Sequence, residues 1–281
     1  MTGLLLVDKT EGPTSHDVIN IARKKLGERR VGHVGTLDPF ASGLLVVLVG
    51  RATRLAKFLV GLEKRYTGII KLGAVTDTDD FTGQVLEETD RWRSVEEEDI
   101  DRAMKKLCGK IQQVPPAFSA KKVAGVRAYS RARRGEAVEL SAQTVEVSKF
   151  DLVQRTGADV HFDVTVSSGT YIRSLARDLG RDLGVGGHLL KLRRESVGDF
   201  KVTDAVDVHE VTADSLRPAG DAVYKMKQVV VTKEEGQLVR HGNAVREEIP
   251  DSGPVALFED RNLIAIAEVK DGALYPKVVL G

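Results

Sequence analysis

The sequence predicts an α+β chain with a basic insertion and a small β-rich C-terminal portion, and three observations carry that prediction. Val160, Phe162, Val164 and Val166 alternate with His161, Asp163, Thr165 and Ser167, the period of a strand with one buried face. Two stretches open like helices with capping boxes, Thr14 with Asp17 and Ser94 with Glu97. Past Asp199 short apolar runs alternate with turn residues, the pattern of a small β-rich unit. A chain of 281 residues is long enough for a large domain with a small appendage. Its 42% hydrophobic and 30% charged residues exclude a disordered or fibrous chain.

Formal charge is only +1, so any case for a polyanionic partner rests on clustering. Such a cluster exists: Lys110, Lys121, Lys122, Arg127, Arg131, Arg133 and Arg134 lie in a stretch with no acidic residue. Glu96, Glu97, Glu98, Asp99 and Asp101 bunch just before it. Cys108, the single cysteine, has no partner for a disulfide or a cysteine-based zinc site and reads as a small buried residue at a helix end. The N-terminus lacks the basic start and long apolar run of a secretion signal, and no stretch has the apolar length of a membrane span. A cytoplasmic protein with no membrane partner is the expectation.

Taken in order, Leu4 to Val7 reads as a strand leading into the loop Asp8 to Pro13. The helix after Thr14 presents Val18, Ile19, Ala22 and Leu26 on one face and ends at Lys24, Lys25 and Gly27. Between Val31 and Leu45, Gly32, Gly35 and Gly43 permit backbone angles that a Cβ forbids, and Pro39 keeps Asp38 out of a helix. The apolar run Leu44 to Val49 anchors that loop as a buried strand. Ala52 to Leu62 reads as a second amphipathic helix and Lys64 to Gly73 as a strand. The acidic loop Asp77 to Gly83 lacks the ligand spacing of a calcium loop and reads as a structural turn. Ser94 to Gly109 is expected to be helical, with early acids and late lysines suited to the helix dipole. After the basic stretch and the Val160 strand, Leu175, Leu179 and Leu183 mark another helix. The tail offers apolar runs at Val229 to Val231, Val255 to Phe258, Leu263 to Ala267 and Leu274 to Val279.

Gly32-His33-Val34-Gly35-Thr36-Leu37-Asp38-Pro39-Phe40-Ala41-Ser42-Gly43 resembles motif II of the pseudouridine synthases, in the TruB-type branch that modifies uridine 55 of tRNA. That signature reads G-H-x-G-[TA]-L-D-P-x-A-[ST]-G, and every fixed position is matched. Asp8-Lys9 through Thr14-Ser15 resembles motif I, with Thr10 in place of the usual proline. Lys64-Arg65-Tyr66, the Asp77 to Gly83 loop, Val114 to Tyr129, Gly169-Thr170-Tyr171-Ile172-Arg173 and Gly187 to Arg194 match further family motifs.

The resemblance implies a pseudouridine synthase fold: a mixed, mainly antiparallel central sheet with flanking helices. It implies a catalytic domain over 1–225 with an RNA-gripping insertion at about 110–135, and a small RNA-binding domain over 226–281. It implies Asp38 as nucleophile, Tyr66 as the aromatic platform under the target base, and Arg173 as the partner that keeps Asp38 ionised. Tyr171 and Leu192 would line the pocket, and His33 would stack near the place vacated by a flipped nucleotide. Lys64, Lys121, Lys122, Arg127 and Arg131 would contact substrate. The partner is the T-stem-loop of tRNA, with no cofactor, no metal and no obligatory protein partner, for a monomer.

The residues alone leave alternatives. Tyr66 and Leu192 also suit a core, His33 could tie down its own loop, and Ser15 and His16 could simply start a helix. The cationic stretch, interleaved with Phe118 and Tyr129, suits phosphates and unstacked bases, or a solvated basic face. A tRNA-binding folding helper with dispensable catalysis is the second functional reading. A hydrolase using His16, His33 and Asp38 on a metal is the third, weakened because no histidine pair has H-E-x-x-H spacing.

Overall fold

The computed structural model describes residues 1–118, 122–123, 126–127, 140–247, 250 and 253–281, with backbone only at 122–123 and 126–127. The chain divides into two compact units, one of Met1–Pro39, Gly43–Gly61 and Val202–Gly281, the other of Phe40–Ser42 and Leu62–Lys201. No helix among the described residues is long and apolar enough to cross a membrane.

In the first unit, strand Gly3–Lys9 pairs antiparallel with Ser42–Val49, which also pairs antiparallel with Val31–Val34. Helix Ser15–Leu26 covers these strands because the face read from sequence is its buried one. Val18, Ile19, Ala22 and Leu26 pack with Leu5, Val7, Leu45 and Val47 in one apolar cluster. The helix begins at the expected box, Asp17 N–H on the Thr14 hydroxyl at 3.1 Å and Thr14 N–H on the Asp17 carboxylate at 2.9 Å. It stops at Gly27, left-handed at φ 60°. The tail forms its own five-stranded sheet, ordered Gln228–Val230, Val255–Glu259, Asn262–Lys270, Ala273–Val279 and Val245–Arg246. Helix Lys233–Arg240, capped by Thr232 and Glu235, closes its core.

In the second unit, strand Lys64–Leu72 lies antiparallel between Gly187–Val197 and Asp159–Val166. Gln143–Thr156 pairs with Asp159–Val166 and Gly109–Gln113 completes the row, all antiparallel. Helix Ile172–Asp182 buries Leu175, Ala176 and Leu179, and helix Glu97–Lys106 buries Ile100, Ala103 and Met104. Both units are thus α+β with mainly antiparallel pairing; Gly3–Lys9 with Val206–Asp207 and Gln228–Val230 with Val255–Glu259 are parallel.

Three local expectations are corrected. Residues 52–62 are not one α-helix: a 3₁₀ segment Gly50–Leu55 runs into a single α-turn Ala56–Leu59. The Thr53 hydroxyl donates to Gly50 O at 2.9 Å, competing for a carbonyl that an α-helix would use. The helix placed at Ser94–Gly109 is Glu97–Lys106, because the Ser94 hydroxyl bonds back to Arg91 O while Glu96 N–H meets the Asp99 carboxylate at 3.4 Å. Asp163 keeps the outward face that the alternation gives it, opposite to that of Phe162 and Val164, and is buried there by Arg65. Cys108 is half-buried, its thiol against Met104 O, and burial pushes that thiol's pKa up. Within the basic insertion, Lys122–Val123 and Val126–Arg127 pair as short antiparallel strands. Lys121 and Arg131 lie outside the described residues.

Candidate active site

Asp38 sits on a loop that is held from both sides. On its N-terminal side the buried Ser15 hydroxyl accepts from Leu37 N–H at 2.9 Å and donates to Leu37 O at 3.0 Å. On its C-terminal side Pro39 O accepts from Gly12 N–H at 2.9 Å and from the Lys9 ammonium at 3.1 Å. Lys9 is 1% exposed, so its charge is kept inside the unit by these carbonyls and by Thr10 O at 3.0 Å. Gly35, at φ 72°, turns the chain into this loop in a conformation that a Cβ would strain. The backbone on both sides of the half-buried Asp38 is therefore held in place. Ser15 has a definite job as the brace of its neighbour loop, a use that a helix-start reading does not contain. His33 stands just upstream, on strand Val31–Val34 opposite Val47.

In the second unit the pleat of Lys64–Leu72 sends Lys64 and Tyr66 to one face and Arg65 to the other. Arg194 lies opposite Tyr66 and Leu192 opposite Gly68, so Lys64, Tyr66, Leu192 and Arg194 share that face. Val164 and Phe162, from the strand on the other side, complete an apolar bed. Glycine is required at 68: an added Cβ would lie 2.3 Å from Lys191 O and 2.8 Å from the Phe162 ring. Arg65 is fixed on the opposite face by Asp163, Nε to Oδ1 at 3.0 Å, which holds that carboxyl below its usual range. Tyr66 thus stands on a braced strand with its ring buried.

Lys64 is 6% exposed and donates to Leu62 O at 2.6 Å. Burial, and then the Arg194 cation, lower its pKa to about 8. The folded chain thus releases this proton near pH 8, whereas an unfolded chain keeps it to about 10.5. Below pH 8 both states are charged and folding bears the full penalty; across the window above it, stability rises with pH. The wild-type chain should therefore gain stability relative to Lys64→Met between about pH 8 and 10.5, read by urea unfolding at each pH. A difference that stays flat over that range would show that Lys64 keeps its ordinary pKa.

Helix Ile172–Asp182 delivers Arg173 and Arg177 from one face, four residues apart. Arg173 Nη1 meets Asp80 Oδ2 at 3.3 Å and Thr78 O at 3.1 Å, and its Nη2 donates to Phe118 O at 2.9 Å. The two side chains are 8% and 5% exposed, so this is a buried ion pair. Asp80 also accepts from the Thr78 and Thr82 hydroxyls and from Thr82 N–H. Arg177 binds Asp79 at 2.8 Å and Asp178 at 3.1 Å. Burial raises the Asp79 pKa against the opposing pull of Arg177. The acidic loop is a structural turn, as its sequence suggests, and it also holds Arg173 and Arg177. The sequence signal was there in two carboxylates upstream and two arginines one helical turn apart, but nothing local joins them.

The described residues named from sequence thus fall into two groups. Asp38 and His33 belong to the first unit; Lys64, Tyr66, Tyr171, Arg173 and Leu192 belong to the second. Within the second, Lys64, Tyr66 and Leu192 share a sheet face, while Tyr171 and Arg173 begin the neighbouring helix. Sequence reasoning missed Lys9, Gly12 and Ser15 as supports of the Asp38 loop, and Asp79 and Asp80 as partners of the arginines.

Three family models match in succession: TruB family pseudouridylate synthase (N terminal domain) over 23–172, tRNA pseudouridylate synthase B C-terminal domain over 173–232, and Pseudouridine synthase II TruB, C-terminal, over 228–280. Among curated proteins the chain is 46% identical to a tRNA pseudouridine synthase B of Thermobifida fusca, across 99% of this chain and 98% of that one. It is 46% identical to another so named from Leifsonia xyli, across 96% and 93%. Among solved structures it resembles a chain of an H/ACA RNP bound to a substrate RNA containing 2'-deoxyuridine, with TM-score 0.74, 26% identity, and coverage of 99% of this chain and 85% of that one.

Proposed function

This chain belongs to the TruB family of pseudouridylate synthases, and on that premise we propose that it converts one uridine of the tRNA T-loop, at position 55, to pseudouridine with Asp38 as nucleophile. The observation that carries the assignment is the two-sided brace on Asp38. A loop held at Leu37 and at Pro39 by four hydrogen bonds needs little backbone reorganisation when its carboxylate meets a reacting centre.

The reaction breaks the bond from N1 to C1′, turns the uracil within the pocket and joins C5 to C1′. The C5 proton leaves and N1 gains one, so substrate and product are isomers and no electrons are exchanged. Asp38 attacks the sugar or the base, by the logic that retaining glycosidases apply at an anomeric carbon. The uridine is stacked in a folded loop, so it is flipped out first. His33 stacks near its former place, Tyr66 supports the flipped uracil and takes the C5 proton, and Tyr171, Leu192 and Lys64 line the pocket. The family resemblance assigns Arg173 the role of keeping the nucleophile ionised. Residues 226–281 act as a small RNA-binding portion beside a catalytic portion over 1–225.

The direct test uses tRNA transcribed with uridine tritiated at C5. Isomerisation releases tritium to water, and one equivalent per tRNA is expected in a chelator-treated, cofactor-free reaction. No release would defeat the assignment.

Lys121, Lys122, Arg127 and Arg131 are proposed to meet phosphates. Neutralising all four should weaken tRNA binding and lower the slope of log affinity against log salt by roughly one unit per phosphate contact removed. An unchanged slope would take the insertion out of RNA binding.

A further inference from the structure

We propose that Gln113 is a positioning residue for the uridine pocket, fixing Tyr171 and the start of its helix to the root of the basic insertion. The inference rests on the reading of Tyr171 and Arg173 as pocket residues. Gln113 is fully buried at the end of strand Gly109–Gln113. Its carboxamide accepts from Tyr171 N–H at 2.8 Å and donates to Tyr171 O at 3.1 Å, a two-point clamp on one residue's backbone. Among the side chains of similar size only an amide offers both a donor and an acceptor at the spacing a peptide presents. Tyr171 occupies the N-cap position of helix Ile172–Asp182 and makes no side-chain cap bond. The clamp therefore supplies positional definition where the chain turns into the helix.

The same helix grips the segment that follows Gln113 at three more points. Ser174 Oγ and Arg177 Nη2 each donate to Val114 O at 2.9 Å, and Arg173 Nη2 donates to Phe118 O at 2.9 Å. Residues 113–118, the described root of the insertion, are thereby bound to one helix face that carries both Tyr171 and Arg173. A displacement of the root is passed to the pocket side chains, because every one of these bonds ends on the helix or its first residue. Gln113 thus aligns the pocket with the segment that leads into the RNA-gripping stretch and does so without touching substrate.

The test compares wild type, Gln113→Met and Gln113→Glu by single-turnover pseudouridine formation at saturating tRNA, by tRNA Kd and by Tm. Gln113→Met keeps the shape and loses both bonds; its rate should fall on the order of 10- to 100-fold with Kd changed less than about threefold. Gln113→Glu still accepts from Tyr171 N–H but sets a second acceptor against Tyr171 O, so its rate should fall at least as far with Kd again little changed, which gives a second variant if the Met variant fails to fold. In a Tyr171→Ala background the further loss from Gln113→Met should shrink without vanishing, since the clamp still aligns Arg173 through the backbone of residue 171. A lowered Tm with an unchanged rate at saturating tRNA would overturn the proposal and leave a purely structural clamp. A full additional loss in the Tyr171→Ala background would also overturn it. A Tyr171→Ala variant with wild-type turnover would remove the pocket reading itself, an outcome separable because it does not involve Gln113.

Discussion

Asp38→Asn is expected to bind tRNA within about threefold of wild type and to lose turnover by at least about 10⁴-fold. Affinity is carried mainly by phosphate contacts, to which a single half-buried carboxylate contributes nothing favourable. Turnover, by contrast, depends on the nucleophile outright, and removal of such a group costs factors of this size in other covalent enzymes. Asparagine keeps the shape, and the bonds that hold the loop come from Leu37 and Pro39, so the Asp38 loop retains its brace. Single-turnover assays at saturating tRNA, paired with equilibrium binding, separate the two effects. Residual turnover near the wild-type rate would transfer the nucleophile's role to another residue.

The second large effect is on stability. Arg173→Met leaves the Asp80 carboxylate buried without its cation and removes donors from Thr78 O and Phe118 O. Breaking one side of a buried pair costs about 3–5 kcal/mol, because the remaining charge is not returned to water. For a chain of this size the fall in Tm should be roughly 10 °C. Replacing Asp80 by asparagine in the same chain should recover part of that loss, since the stranded charge is then gone. The Thr78 and Thr82 hydroxyls bonded to Asp80 keep their acceptor in that double variant. A melting temperature within about 2 °C of wild type for Arg173→Met would mean that the Asp80 carboxylate is solvated well enough by its threonine partners alone.

Much of the fold was legible because its signals are local. The Ser15–Leu26 helix shows its cap, its buried face and its terminating glycine within a dozen residues, and all three are as read. Strands Gly3–Lys9, Ser42–Val49 and Lys64–Leu72 announce themselves by apolar runs or alternation. The misreadings have local causes too. The acid-rich start of the Glu97–Lys106 helix offers overlapping capping boxes, and the structure uses Glu96 with Asp99 instead of Ser94 with Glu97. Helix Lys233–Arg240 was legible in Thr232 and Glu235 but was hidden among the strand-like runs of the tail.

What the sequence could not display was long-range pairing. Asp163 is buried on the outward face of its strand because Arg65, 98 positions away, covers and pairs with it. Asp80 and Arg173 are 93 positions apart, and no periodicity connects a turn to a helix face at that distance. The supports of the candidate nucleophile are backbone carbonyls and one hydroxyl, which leave no compositional trace. Gln113 is the extreme case, an ordinary glutamine whose partner is the main chain of Tyr171. Sequence pattern located the Asp38 loop and the Tyr66 strand; the groups that hold Asp38 and Arg173 in place needed coordinates.

The central claim is that this chain isomerises one T-loop uridine and that Asp38 carries the reaction. Pseudouridine mapping along a full unmodified tRNA, after incubation with wild type and in parallel with Asp38→Asn, tests it most directly. One modified position, uridine 55, with wild type and none with the variant is the expected result. Pseudouridine at other positions, or at position 55 with both proteins, would contradict it.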